Sequence, residues 1–386
     1  MSQNTHRRII ELPQVYNSRI REILSDLGYS LDKPGRLADC VLRLSDFYTQ
    51  NGDLSTPWRE PWAQVANLCY YFPLNYVRNR AVAIEARRLG FFQNLSSVVD
   101  CGSGLGSALF SVLDLLGPQA SAVAMDVSLE ALSLGRRLGS EFSYQCEADS
   151  PRSLADRLVL ASYLLTELAA APSEWLSAEA LMIVEPGTEQ DGRNLQRYRQ
   201  LLIAEGFHIW APCTHQASCP MLSDSPQANQ LVPPTPPSPP LSPPLSPPLS
   251  PPLSAPLSAK KHNWCHDRIH WKQPDWWANL EKLLPMKNRT LAFSYLLARR
   301  SLTPPAALST LARLTGDMLV EKGKTRQSVC RGPETEFLAW FPQRMKTSLE
   351  MNRGSLVELQ GQPEKKSNEV RLTDGLVREL GADEAL

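Results

Sequence analysis

No run of about 18 consecutive apolar residues occurs in this 386-residue chain, so the sequence offers no helix able to span a bilayer. The amino-terminal stretch MSQNTHRRII lacks the apolar core of a secretory leader. Its two arginines are soon followed by Glu11 and Glu22, a poor pattern for a transit peptide. The expected compartment is the cytoplasm, with a mitochondrial or other organelle matrix as the alternative. Net charge is missing too: 40 Lys and Arg balance 40 Asp and Glu. That excludes a globally basic, tail-driven nucleic-acid binder, makes DNA an unexpected partner, and leaves room for a local basic face. No CxxC pair and no CxxxCxxC triad exists, so neither zinc-ribbon knuckles nor radical chemistry is indicated. What is present suits a folded protein: 42% hydrophobic residues, and length for two domains.

Residues 1–90 read as a helical region. RLADCVLRLSDFYTQ and LNYVRNRAVAIEARRLG space their apolar residues near 3.6, and Gly90 supplies a stop. From residue 96 apolar strands alternate with helices: SSVVDCG, SAVAMDVS, FSYQCEAD, DRLVLAS, ALMIVEPG and HIWAPC are strand candidates, and TLAFSYLLARR a seventh. Such alternation predicts a parallel, doubly wound α/β sheet over residues 91–212. Residues 213–345 follow, interrupted at 223–259 by a Pro-rich linker whose PPLS repeat supports only an extended conformation. It reads as a tolerated loop or as a ligand for an aromatic-grooved partner. Residues 346–386, charged and polar, are expected to form a disordered tail.

Asp100-Cys-Gly102-Ser-Gly104-Leu-Gly106 follows the first of these strands and opens a helix. Glycines at such a turn let backbone approach a ligand closely. The dinucleotide fingerprint G-x-G-x-x-G is not met, because Ser107 stands where its spacing would require attention to a further glycine. Asp126, ending the second strand, is placed to accept both hydroxyls of a ribose. Asp149, after the third, suits an adenine amino group, and Ser162 and Tyr163 follow the fourth. Over residues 96–212 this pattern resembles the class I methyltransferases and implies S-adenosylmethionine rather than NAD. The candidate cofactor residues are Asp100, Gly102, Gly104, Gly106, Asp126, Asp149 and Ser162. The Asn/Asp-Pro-Pro-aromatic turn of amine methylation is absent: Ala161-Ser162-Tyr163-Leu164 occupies its place, and no catalytic residue is assigned.

Of eight cysteines, Cys40, Cys69, Cys101 and Cys146 lie in apolar or strand-like segments and read as packed thiols. Cys213, Cys219, Cys265 and Cys330 lie in loop-like contexts, and four thiolates suit zinc or an iron–sulfur cluster. Their irregular spacing and the Cys219-Pro220 step sit more comfortably with a cubane cluster. His215 and His266 are candidate substitute ligands or outer donors.

The segments DCGSGLG, LASYLLTEL, IVEPGTEQ, APCTHQASCP, NWCHDRIHW, TLAFSYLLARR and KGKTRQSVC together resemble the mitoribosomal small-subunit methyltransferase-like family and its bacterial relatives, over most of residues 60–345. The resemblance implies a Rossmann-like methyltransferase sheet with an N-terminal helical region and a C-terminal cysteine-ligated metal-cluster region. It implies a 4Fe–4S cluster on Cys213, Cys219, Cys265 and Cys330, and association with the small ribosomal subunit or its rRNA. The proline repeat enlarges the loop between the second and third ligands, a departure from the family. Arg78, Arg80, Arg87, Arg88, Lys260, Lys261, Arg268, Lys272, Lys322, Lys324 and Arg326, with Trp264, Trp271, Trp276 and Trp277 interleaved, form either an RNA-facing surface or a solvated face over a Trp-rich core. Three functional readings follow: a methyltransferase acting on or at small-subunit rRNA, a non-catalytic assembly factor of the same fold, and a small-molecule methyltransferase.

Overall fold

The computed structural model describes residues 8–50, 55–116, 120–148, 153–168, 170–222, 264–346 and 348–381. The proline repeat and Asp149 lie outside the described residues. Two sheets are present. The first joins β1 (Ile9–Glu11), β2 (Ser97–Cys101), β3 (Ser121–Met125), β4 (Gln145–Glu147), β5 (Leu158–Ser162), β6 (Ala180–Pro186), β7 (His208–Ala211), β8 (Asp267–Lys272) and β9 (Thr290–Arg299) in the order β1-β8-β9-β6-β5-β2-β3-β4, with β7 also on β9. Strands β2 to β6 pair in parallel and β9 runs antiparallel to β6. Runs such as SVVDC, LVLAS and ALMIVEP are almost wholly buried, as strands covered on both faces must be.

Strand β9 is long enough to serve two partners on the edge away from β6. Its first half pairs with β8 and its last residues with β7. The chain therefore leaves the sheet after β7, passes through the proline repeat, and returns beside it at β8. Strand β8 falls in a segment not read above as a strand. Strand β1, inside the expected helical region, pairs with β8 in parallel and extends that edge.

Helices α1 (Gln14–Asp26), α2 (Pro34–Gln50), α3 (Pro61–Ala66) and α4 (Phe72–Arg88) cover one face beside α5 (Ser107–Leu116) and α6 (Leu129–Leu138), with α7 (Glu189–Ala204) and α8 (Trp277–Lys282) later in the chain. A π-helical turn, Asn67–Tyr71, joins α3 to α4. Tyr16, Phe72, Tyr76 and Phe110 form an aromatic cluster that fastens the N-terminal helices to α5.

The second sheet contains β10 (Leu311–Leu314), β11 (Leu319–Glu321), β12 (Lys324–Cys330), β13 (Glu336–Trp340), β14 (Leu356–Leu359), β15 (Lys365–Lys366), β16 (Glu369–Arg371) and β17 (Val377–Glu379). β10 pairs antiparallel with both β12 and β14, β12 with β13, and β14 with β17, whereas β13 and β16 are parallel. β16 and β17 are two halves of one interrupted stretch. Counted as a single fifth strand, they close the path 1-2-3-5-4-1, the connectivity of a small Greek-key barrel of the OB type.

This corrects the expected disordered tail. Residues 356–380 complete the barrel: Val357, Val370 and Leu372 are buried in its core, and Leu356 and Leu380 are buried against the core of the first sheet. Strands of two to four residues carry too few alternations to reveal a period. The barrel thus crosses the expected boundary at residue 345.

Candidate functional site

The C-terminal ends of β2, β3 and β5 lie side by side and the chain order reverses about β2, the switch point at which doubly wound sheets place their ligand crevice. Gly102, Gly104 and Gly106 all take positive φ, at 64°, 53° and 81°. Side chains are excluded as well as strained: a Cβ on Gly102 would lie 2.8 Å from Leu164, and one on Gly106 2.5 Å from Phe110. Gly104 is the open position of the three, with Trp58 as its nearest neighbour, 3.7 Å from where a Cβ would stand.

Two aspartates shape the loop differently. Asp100 is buried and accepts hydrogen bonds from Ser103 Oγ at 2.8 Å and Leu109 N at 3.2 Å. Burial pushes its carboxyl up to about 7, against the pull of those two bonds. It braces the loop from beneath rather than facing the crevice. Asp126 is half-buried and accepts from Gly104 N and Ser128 N, each at 2.8 Å. Each carboxylate oxygen thus has one backbone donor and spare lone pairs, leaving capacity for ribose hydroxyls. Ser128 caps α6 by accepting from Ala131 N at 3.1 Å.

Ser162 ends β5 and accepts from Asn79 Nδ2 at 2.8 Å. Tyr163 follows at φ 61°, a left-handed conformation for a bulky residue, with Arg78 over its ring at 5.6 Å. Outliers of this kind persist where surroundings enforce them. Here Tyr163 N donates to Val184 O at 2.8 Å and Leu165 N to Glu185 Oε1 at 2.9 Å. Burial raises the Glu185 carboxyl to about 8, against backbone bonds that lower it. Asn79 and Glu185 were not singled out from the sequence. Their one signal is a polar residue within an otherwise apolar helix face or strand.

The four late cysteines come together. Cys213 and Cys219 lie on the loop after β7, Cys265 just before β8, and Cys330 at the end of β12 in the barrel. Burial pushes the Cys219 thiol up to about 11, with the charge of Cys213 adding to it. Cys265 and Cys330 are raised by burial and then by their companions: Cys213, Cys219 and Cys330 act on Cys265, and Cys213 and Cys219 on Cys330. Arg199 Nε stands 3.1 Å from Cys213 Sγ, and His215 Nε2 3.3 Å from Cys330 Sγ. Burial holds both His215 and His266 down near 4, so each is neutral at pH 7. Among the described residues no group of three His, Cys, Asp or Glu side chains is arranged to hold one metal ion. None of the cysteines is in a disulfide.

Among the described residues, several of the basic and aromatic residues are engaged by neighbours or buried. Trp271 and Trp277 are core residues. Arg268 pairs with Asp317, Lys272 with Glu11, Lys324 with Glu369 and Arg326 with Glu321. Arg88 is buried against Glu85. Lys260 and Lys261 lie outside the described residues. No helix among the described residues is long and apolar enough to cross a membrane.

Residues 64–229 match the family model described as mitochondrial small ribosomal subunit Rsm22. Among curated proteins none matches the chain. Similar solved structures include a candidate RNA methyltransferase from Pyrococcus horikoshii, 11% identical, covering 58% of this chain and 85% of its own with a TM-score of 0.31. An S-adenosylmethionine-dependent methyltransferase from Aquifex aeolicus is 16% identical, covering 32% of this chain and 80% of its own with a TM-score of 0.25. A precorrin-6y C5,15-methyltransferase from Geobacter metallireducens, also 16% identical, covers 35% and 73% with a TM-score of 0.27.

Proposed function

We propose that this chain, whose residues 64–229 match the family model described as mitochondrial small ribosomal subunit Rsm22, binds S-adenosylmethionine in the glycine-loop crevice and acts on or at small-subunit ribosomal RNA, with a 4Fe–4S cluster at the cysteine corner. The observation that carries the reading is Asp126 set against Gly104. A carboxylate with spare lone pairs beside an unobstructed backbone fits a ribose, and the left-handed glycines let the backbone meet the rest of the ligand. In this reading Asp149 meets the adenine amino group and Ser162 borders the end that carries the methyl group.

The cysteine corner fits a cluster by its donor set: four thiols that act on one another, with no carboxylate among them. A tetrahedral zinc site, with Zn–S near 2.3 Å, would draw its sulfurs to within about 4 Å of one another. The irregular spacing of the four cysteines and the Cys219-Pro220 step favour a larger centre. When bound, the cluster would supply a cross-link between the sheet and the barrel. Arg199 beside Cys213, and neutral His215 beside Cys330, would donate to the sulfurs. The family's description favours the mitochondrial alternative over the cytoplasm.

A second reading, a non-catalytic assembly factor, is favoured by one observation. The turn after β5 has its Ser162 hydroxyl engaged by Asn79 and its Tyr163 ring covered by Arg78, so no group there stands ready for an acceptor. One experiment separates the readings. Small subunits from cells lacking the protein are incubated with anaerobically purified protein and methyl-labelled cofactor. Label in the RNA that disappears with Asp126→Ala supports catalysis. Cofactor and subunit binding without label supports the assembly factor. No cofactor binding, or a colourless protein with stoichiometric zinc, removes the first reading or its cluster respectively.

A further inference from the structure

A cavity of about 210 Å³ opens at the seam between the barrel and the first sheet, lined among others by Arg8, Glu85, Arg88, Arg313, Ser355 and Leu380. It is separate from the glycine loop and draws on β1, α4, β10 and β14. Arg88 and Arg313 are each more than nine-tenths buried. Glu85 pairs with Arg88 at 2.7 Å and with Arg313 at 2.5 Å, and Arg8 pairs with Asp267. Among the described residues three guanidiniums thus face two carboxylates. Tyr295, the other titratable neighbour, is pushed upward by burial and stays neutral. Nor are the donors used up: Nε of Arg8 and Nε of Arg88 are both buried without a partner.

Buried charges are ordinarily paired, because an uncompensated ion bears the full penalty of leaving water. A surplus cation with unused N–H groups around a space is the reverse of that rule, and guanidinium geometry matches the oxygens of phosphate. We propose that this cavity is an anion site that takes a phosphate group, and that its occupation holds the barrel against the methyltransferase sheet. The phosphate is either free inorganic phosphate or one belonging to RNA.

The test uses the full chain, titrated with inorganic phosphate at constant ionic strength, with chloride as reference. Calorimetry should show saturable one-to-one binding, and the melting temperature should rise in phosphate beyond its value in chloride. Arg88→Gln should weaken phosphate at least tenfold while leaving S-adenosylmethionine affinity within twofold, which shows that the fold is kept. Ser355→Asp places a carboxylate in the cavity; it should raise the melting temperature without phosphate and abolish the phosphate response. Equal melting in phosphate and chloride, or phosphate binding unchanged in both variants, overturns the proposal. To identify the source, an oligoribonucleotide is titrated with and without inorganic phosphate. Displacement of the RNA assigns the site to a backbone phosphate. Phosphate binding that leaves RNA affinity unchanged assigns it to the free anion.

Discussion

The glycine-loop site proposed for the cofactor is built mainly from residues 100–128, one strand, one turn and the end of the next strand, whereas the cysteine corner takes Cys213 and Cys219 from one loop, Cys265 from beyond the proline repeat and Cys330 from the barrel. Short-range bonds hold the first: Asp100 to Ser103 and Leu109, Asp126 to Gly104 and Ser128. Docking of the barrel holds the second, and it depends on Arg313 reaching Glu85 and the backbone oxygens of Pro212 and Gly354. A locally braced site should survive perturbations of the seam that a site assembled across it cannot.

The strongest challenge to this contrast is Arg313→Met. Removing one member of a buried ion network costs about 3–5 kcal/mol. Chemical denaturation should show that loss, and the late cysteines should become reactive to thiol reagents while cofactor affinity changes less than threefold. An equal loss of cofactor affinity would erase the distinction between the two sites.

Acid should act in the same direction. Burial alone would raise the Glu85 carboxyl, but Arg313 and Arg88 hold it down at about 2 against an ordinary 4.5. A depressed carboxylate stabilises the fold above its ordinary value and loses that contribution as pH falls through its native value. About 3 kcal/mol should therefore disappear between about pH 5 and pH 2, and Glu85→Gln should flatten that limb of the stability profile. Asp100 has the opposite sign. Its native value is raised to about 7 from 3.8, so its contribution is full below about pH 4 and is lost progressively as pH rises from there to about 7. Hydrogen exchange of the glycine-loop amides should accelerate between about pH 4 and pH 7, after correction for intrinsic rates, while thiol protection at the corner holds.

Asp126→Ala sharpens the contrast from the other side. Loss of a charged acceptor is worth about 1.5–3 kcal/mol, so calorimetry should show cofactor binding weakened roughly 10- to 100-fold, with thiol reactivity unchanged. Trp58→Ala should have the smallest effect. The ring flanks Gly104 without a hydrogen bond to the loop, and its loss should weaken the cofactor about threefold, near 0.6 kcal/mol.

The glycine loop was legible because its constraints are local: three glycines, an acidic residue before them and another ending the next strand, all within a strand–turn–helix. The sheet was legible for a related reason, since strands buried on both faces are written as continuous apolar runs. Asn79 and Glu185 were not legible, because a polar residue in α4 or β6 gains meaning only when the turn after β5 folds against it. The barrel was misread because its last strands are too short to show alternation and carry charge on their outer side, as Lys365, Lys366 and Glu369 do. The basic stretches suggested a binding face, yet the fold spends most of those cations on neighbouring carboxylates.

What the sequence determined by itself is the glycine turn and the buried parallel strands around it, because backbone conformation and two-sided burial are settled within a few residues. It also marked four cysteines as different from the other four. That Cys330 meets Cys213, Cys219 and Cys265, and that Arg8, Arg88 and Arg313 surround a cavity with one carboxylate too few, was decided only by tertiary structure. Both depend on the barrel closing on its last strands and docking against α4 and β9, where residues more than 200 positions apart, such as Glu85 and Arg313, become neighbours.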